Sequence, residues 1–142
     1  MPLLEQVLEK YPDDVKIVFK NFPLRNHKFA IKAATAALAA ESQGKFWEFH
    51  DLLFKNYKSL NDQKIRDIAL GLGLDQAEFE KKMREPALQS KIRQDFREGS
   101  QAGVRGTPTI FINGRLLRDR SLNGFQAAIN KELQRLSKQA VK

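Results

Sequence analysis

Hydrophobic and polar positions follow three regimes along the chain. Leu3, Leu4, Val7, Leu8 and Tyr11 recur at helical spacing with Glu5, Glu9 and Lys10 between them, which predicts an amphipathic helix over 3–11. Pro12-Asp13-Asp14 stops it, and the β-branched and aromatic run Val15-Lys16-Ile17-Val18-Phe19 predicts a short strand that ends at Phe22-Pro23. The second regime is helical throughout. An alanine-rich stretch from Asn26 to Gln43 reads as a helix with Asn26 as its N-cap and Gly44 as its stop. Phe46, Trp47, Phe49, Leu52, Leu53 and Phe54 cover more than one stripe of a helix over 45–55, so that helix is expected to be buried on most sides. Asn61 caps a helix over 62–70 with Ile65, Ile68, Ala69 and Leu70 inward, and Asp75 with Glu78 forms a capping box for a helix ending at Met83. Pro86 suits the first turn of the next, which carries Leu88, Ile92, Phe96 and Ala102 before Gly103. Residues 26–102 thus read as an all-helical block.

The third regime begins at Thr107. Thr107 to Ile112, then Asn113-Gly114, then Arg115-Leu116-Leu117 predicts a β-hairpin, because Asn-Gly supplies the two positive-φ positions of a tight type I′ turn. Ser121 caps a last helix with Leu122, Phe125, Ile129, Leu133 and Leu136 on one face. The order helix, strand, helical block, hairpin, helix implies an α/β fold whose mixed sheet is packed by helices. With no repeat and no linker, residues 1–142 read as a single domain with a helical insertion at about 26–102.

Composition narrows the chemistry. The chain of 142 residues is 42% apolar and includes ten Phe, enough for one core. No run approaches the roughly 20 apolar residues of a membrane helix, and Met1-Pro2-Leu3-Leu4-Glu5 meets an acid too early for a secretory leader. There is no cysteine, which removes disulfides, thiolate nucleophiles and sulfur-ligated metals. Of the two histidines, His50 reads as a structural residue of the helical block and His27 lies in a first helical turn; neither has a partner set for catalysis or metal binding. Asp13-Asp14 and Glu78-Glu80 lack the apolar surroundings that general-acid work requires, and Gly71-Leu72-Gly73 ends a helix where a phosphate loop would begin one. No catalytic residue, cofactor or metal is expected. Net charge is +8, concentrated in residues 72–142, where 14 Lys and Arg face 8 Asp and Glu. Lys131, Arg135, Lys138 and Lys142 form a stripe on the last helix, preceded by Arg115, Arg118 and Arg120. Such a stripe is commonly the solvated face of a packed helix, and no aromatic residues interleave with it as single-strand stacking would require.

Three stretches carry a resemblance. Val18-Phe19-Lys20-Asn21-Phe22-Pro23-Leu24, the run Gln43 to Phe54 containing Gly44-Lys45-Phe46-Trp47, and Gly103-Val104-Arg105-Gly106-Thr107-Pro108-Thr109 through Gly114 together resemble the DsbA-like thiol:disulfide oxidoreductases and isomerases of the thioredoxin superfamily. The resemblance implies a thioredoxin-like fold with a helical insertion, and it makes Thr107-Pro108 the family's cis-proline. It also implies protein or peptide substrates, bound at Gly106, Thr107 and Pro108, and a location usually periplasmic or extracytoplasmic. Members begin with a strand leading into Cys-x-x-Cys. Both are absent here, so the expectation is a chain truncated just past the motif, redox-inactive, with a sheet missing its first, central strand. Two rows of backbone groups would then lie open to strand pairing or homo-oligomer formation. Two other readings stand beside this one: a natural non-redox binding or chaperone-like module, and a basic binder of nucleic acid or anionic surfaces.

Overall fold

The structure, a computed structural model, describes residues 2–141. Its elements in chain order are α1 (Pro2–Lys10), α2 (Ala30–Glu41), α3 (Phe46–Lys55), α4 (Asp62–Gly71), α5 (Gln76–Met83), α6 (Pro86–Gln101), β1 (Phe111–Ile112), β2 (Arg115–Leu116) and α7 (Leu122–Ala140). They form two compact units. Lys20–Arg105 make a helical unit, and the two ends of the chain, up to Phe19 and from Gly106, make the other.

In the helical unit, α2 packs against α3, α4, α5 and α6. Ala36, Ala37, Ala39 and Ala40 make this possible, since methyl side chains favour the helix and let neighbouring elements approach closely. Phe49 and Phe79 stack at 5.6 Å in the middle, with Leu53, Ile65, Ile68 and Leu74 around them. The helix starts follow local chemistry. Asn61 accepts from the Lys64 N–H and Asp75 from the Glu78 N–H, each at 2.8 Å, and Pro86 opens α6. Asn26 does not act as a cap: bonds from the His27 and Ala30 N–H groups to the Leu24 and His27 carbonyls build two successive turns, and α2 starts only at Ala30. Nor is α3 buried on most sides. Phe49, His50 and Leu53 are covered, whereas Trp47 and Phe54 are 45% and 62% exposed, because α3 packs mainly against α2 and α4 among the described residues. Leu70 likewise faces solvent.

The end unit is built on α1 and α7, which pack together. Val7, Tyr11, Leu117, Phe125 and Ile129 form its core, and the Tyr11 hydroxyl donates to Asn130 Oδ1 at 2.9 Å. Ser121 accepts from the Gly124 N–H, and Gly124 is required there, since a Cβ would lie 2.1 Å from the Asp119 carbonyl oxygen. β1 pairs antiparallel with β2, Phe111 opposite Leu116 and Ile112 opposite Arg115, across Asn113 (φ 47°) and Gly114 (φ 78°). This is the expected two-residue turn.

The sheet departs from the mixed sheet expected. Among the described residues it consists of this hairpin alone. Residues 15–19 form no strand. The Val15 N–H bonds back to the Tyr11 carbonyl at 3.2 Å, and Lys16, Ile17 and Val18 have no backbone partner among the described residues. The physical reason is that a strand exists only as one side of a ladder, and no described strand lies beside this segment.

Candidate functional site

Gly106, Thr107 and Pro108 form a bend leading into β1, with Thr107 and Pro108 exposed and Gly106 half-buried. The Thr107-Pro108 peptide bond is cis. The carbonyls along this segment alternate. That of Gly106 accepts from the Thr109 hydroxyl at 2.7 Å, that of Pro108 from Arg120 Nη1 at 2.8 Å, and that of Ile110 from the Leu117 N–H at 2.8 Å. Ile112 lies next to the two-residue turn, opposite Arg115, in the hydrogen-bonded position of the hairpin. In the hairpin register the groups of Thr109 and Phe111 fall between these and point away from β2, and Thr107 lies in the bend that precedes them. Among the described residues they have no backbone partner.

This outward row is flanked by apolar surface and by positive charge. Phe111 and its cross-strand partner Leu116 are 40% and 53% exposed on the face opposite Ile110, Ile112 and Leu117, which enter the core. Arg118 and Arg120 are exposed and make no ion pair among the described residues. Arg115 and Arg135 differ, since both converge on the buried Glu132 carboxylate at 3.1 and 2.9 Å. The Arg135 hydrogen bond, with help from Asn113 and Arg115, holds Glu132 below the ordinary carboxylate range against the opposing effect of burial. The basic stripe therefore divides: Arg135 is tied into the fold, Lys131 and Lys138 are solvated, and Lys142, like Met1, lies outside the described residues.

Asp95 and His50 are buried polar groups of the helical unit. Asp95, 1% exposed, accepts from the Asn21 N–H and the Asn21 side-chain amide, each at 3.0 Å, and from Lys91. Burial works to raise its carboxyl, but the Asn21 backbone, Lys91 and the Asn21 amide together hold it below the ordinary value. Asp95 fastens the extended Lys20–Phe22 segment to α6, where Phe22 also stacks on Phe96 at 4.6 Å. Sequence reasoning missed it. The available signal was an acid three residues after Ile92, on the apolar face of a helix. His50 lies in α3 with Nδ1 3.2 Å from Asp51 Oδ1 and the rings of Trp47 and Phe54 around it; burial pushes its imidazole down, with Asp51 opposing. Among the described residues no three His, Asp or Glu side chains gather as metal ligands, and no helix is long and apolar enough to cross a membrane.

The architecture is thioredoxin-like. It matches a thioredoxin-like oxidoreductase from Silicibacter pomeroyi DSS-3 with a TM-score of 0.80 and 25% identity, over 94% of this chain and 77% of that one. The thiol-disulfide exchange protein alpha-DsbA2 from Wolbachia pipientis has the same fold, at a TM-score of 0.80 and 23% identity, over 92% of this chain and 71% of that one. The family model described as Thioredoxin (Thioredoxin_4) matches residues 2–131, and the chain belongs to that family. The chain is also similar to a longer protein, the Na(+)/H(+) antiporter NhaA 3 of Salinispora tropica, 36% identical over 115 residues that make up 80% of this chain and 18% of that protein. The NhaA antiporter of Herminiimonas arsenicoxydans is 32% identical over 76% of this chain and 17% of its own length. The chain thus spans less than a fifth of these curated relatives. Thiol exchange needs a thiolate, and these 142 residues hold no cysteine, so their own side chains cannot perform it.

Proposed function

We propose that this chain is a non-redox thioredoxin-fold module that binds extended peptide by strand addition at Gly106, Thr107 and Pro108 and along the outer edge of β1. The carrying observation is the alternation from 106 to 112: alternate carbonyls are satisfied inside the unit, the backbone of Thr109 and Phe111 is left outward, and that of Thr107 has no backbone partner among the described residues. An unpaired edge of this kind supplies main-chain hydrogen bonds to an incoming strand, and side chains at every second position of that strand meet the exposed Phe111 and Leu116. The similar stretches in proteins named for ion antiport support a module used apart from thiol chemistry. A strand from a second copy is an alternative occupant of the same edge, or of the unpaired Lys16–Val18 segment, and sedimentation of the free chain would reveal it.

The test uses a short labelled peptide alternating valine with serine and two variants at one position. Phe111→Pro removes an N–H that points away from β2, so the hairpin ladder survives while the edge loses a donor. Binding should be lost in Phe111→Pro and kept, though weakened, in Phe111→Ala, with near-equal far-ultraviolet circular dichroism. Equal binding by wild type and Phe111→Pro would overturn the reading.

A further inference from the structure

Resting on the strand-addition reading, we propose that this edge selects acidic peptides, extended segments whose alternate side chains are Asp or Glu, through Arg118 and Arg120. The bond from the Leu117 N–H to the Ile110 carbonyl carries the hairpin register one pair beyond β1 and β2, which sets Arg118 opposite Thr109. Continued alternation places the Arg118 side chain on the face of Leu116 and Phe111. Arg120 is fixed beside the edge by its 2.8 Å bond to the Pro108 carbonyl. A guanidinium has five donors, so that one bond leaves it able to receive a carboxylate in a forked geometry.

Neither arginine is ion-paired among the described residues, and the single charge of Asp119 leaves the Arg118-Asp119-Arg120 run net positive. Asp119, between the two arginines, accepts from the Ser121 N–H at 3.0 Å at the start of α7, and Glu132 is already shared by Arg115 and Arg135. Acidic side chains on an added strand recur about 7 Å apart, at two residues of about 3.4 Å each. Exposed ion pairs are worth a factor of a few apiece, so two together predict roughly a tenfold preference that salt reduces.

Three short peptides of equal length, alternating valine with glutamate, serine or lysine and carrying the same neutral fluorophore, are titrated into the wild-type chain at low and high salt, with anisotropy as the readout. The glutamate peptide should bind about tenfold more tightly than the serine peptide, and the lysine peptide most weakly, with the differences shrinking in high salt. Arg118→Ser combined with Arg120→Ser should reduce the glutamate preference severalfold, and Phe111→Pro should abolish glutamate-peptide binding. Equal affinity for the glutamate and serine peptides would overturn acid selection while leaving strand addition standing. No binding of any peptide would overturn both. Glutamate-peptide binding that survives Phe111→Pro, or a preference undiminished in the double variant, would assign the attraction to other basic surface such as Lys131 and Lys138, and would overturn the proposal.

Discussion

The helical unit and the end unit solve the same physical problem to different degrees. Every backbone N–H and carbonyl removed from water needs a partner, and a helix supplies those partners from its own sequence. In Lys20–Arg105 five helices do so, and their apolar faces close on Phe49 and Phe79. The end unit contains a two-residue ladder and the segment 16–18, which has no backbone partner among the described residues. Open hydrogen-bonding capacity is therefore concentrated in the strand segments, and a binding function built on backbone recognition has to sit there.

The sharpest way to break this comparison is to empty the helical core. Phe49 is fully buried, and Phe49→Ala should cost about 3–5 kcal/mol in urea unfolding. Phe111→Ala, on the open face, should cost less than about 1 kcal/mol. Similar losses for the two would show that the hairpin face is covered in solution.

A second prediction concerns Asp95. Asp95→Ala leaves the buried Asn21 N–H without its acceptor and should cost about 2–3 kcal/mol. Because the folded-state pKa of Asp95 is lowered, its contribution is fully present above the unfolded value of about 3.9 and is lost as pH falls through that value toward the folded one. Wild type should therefore lose stability in acid faster than Asp95→Asn, read as the pH dependence of the thermal midpoint. Parallel pH profiles would remove Asp95 as the fastening point of the Lys20–Phe22 segment.

The smallest effects separate local from tertiary contributions at helix starts. Asp75→Ala and Ser121→Ala each remove one N-cap bond and should cost about 1 kcal/mol. Gly124, one turn into α7, is held against the Asp119 carbonyl, so the start of α7 also depends on packing. A loss at Ser121 well above that at Asp75 would place more of the end unit's stability in this one joint.

What was legible in the chain beforehand follows the range of the interactions. Capping by Asn61, Asp75 and Ser121, the Pro86 start, and the Asn113-Gly114 turn were readable because each is decided within about four residues. The Asn26 cap failed because two turn bonds nearby hold the backbone differently. The exposure of Trp47 and Phe54 was illegible because it depends on which neighbours α3 meets. Within the candidate site, Gly106, Thr107 and Pro108 were marked by family resemblance, whereas Arg118 and Arg120 looked like members of an undivided basic run. Only the folded geometry distinguishes them from Arg115 and Arg135.

By itself the sequence determined the helices, the starts capped by Asn61, Asp75 and Ser121, the hairpin turn and the absence of thiol chemistry, all matters of residue type and short spacing. Tertiary structure alone decided that residues 15–19 form no strand, that Asp95 fastens a segment 74 residues away in the chain, and that Glu132 pairs with two of the arginines. Strand pairing, burial and ion pairing each require a partner distant in sequence, and no local pattern specifies whether that partner is in reach.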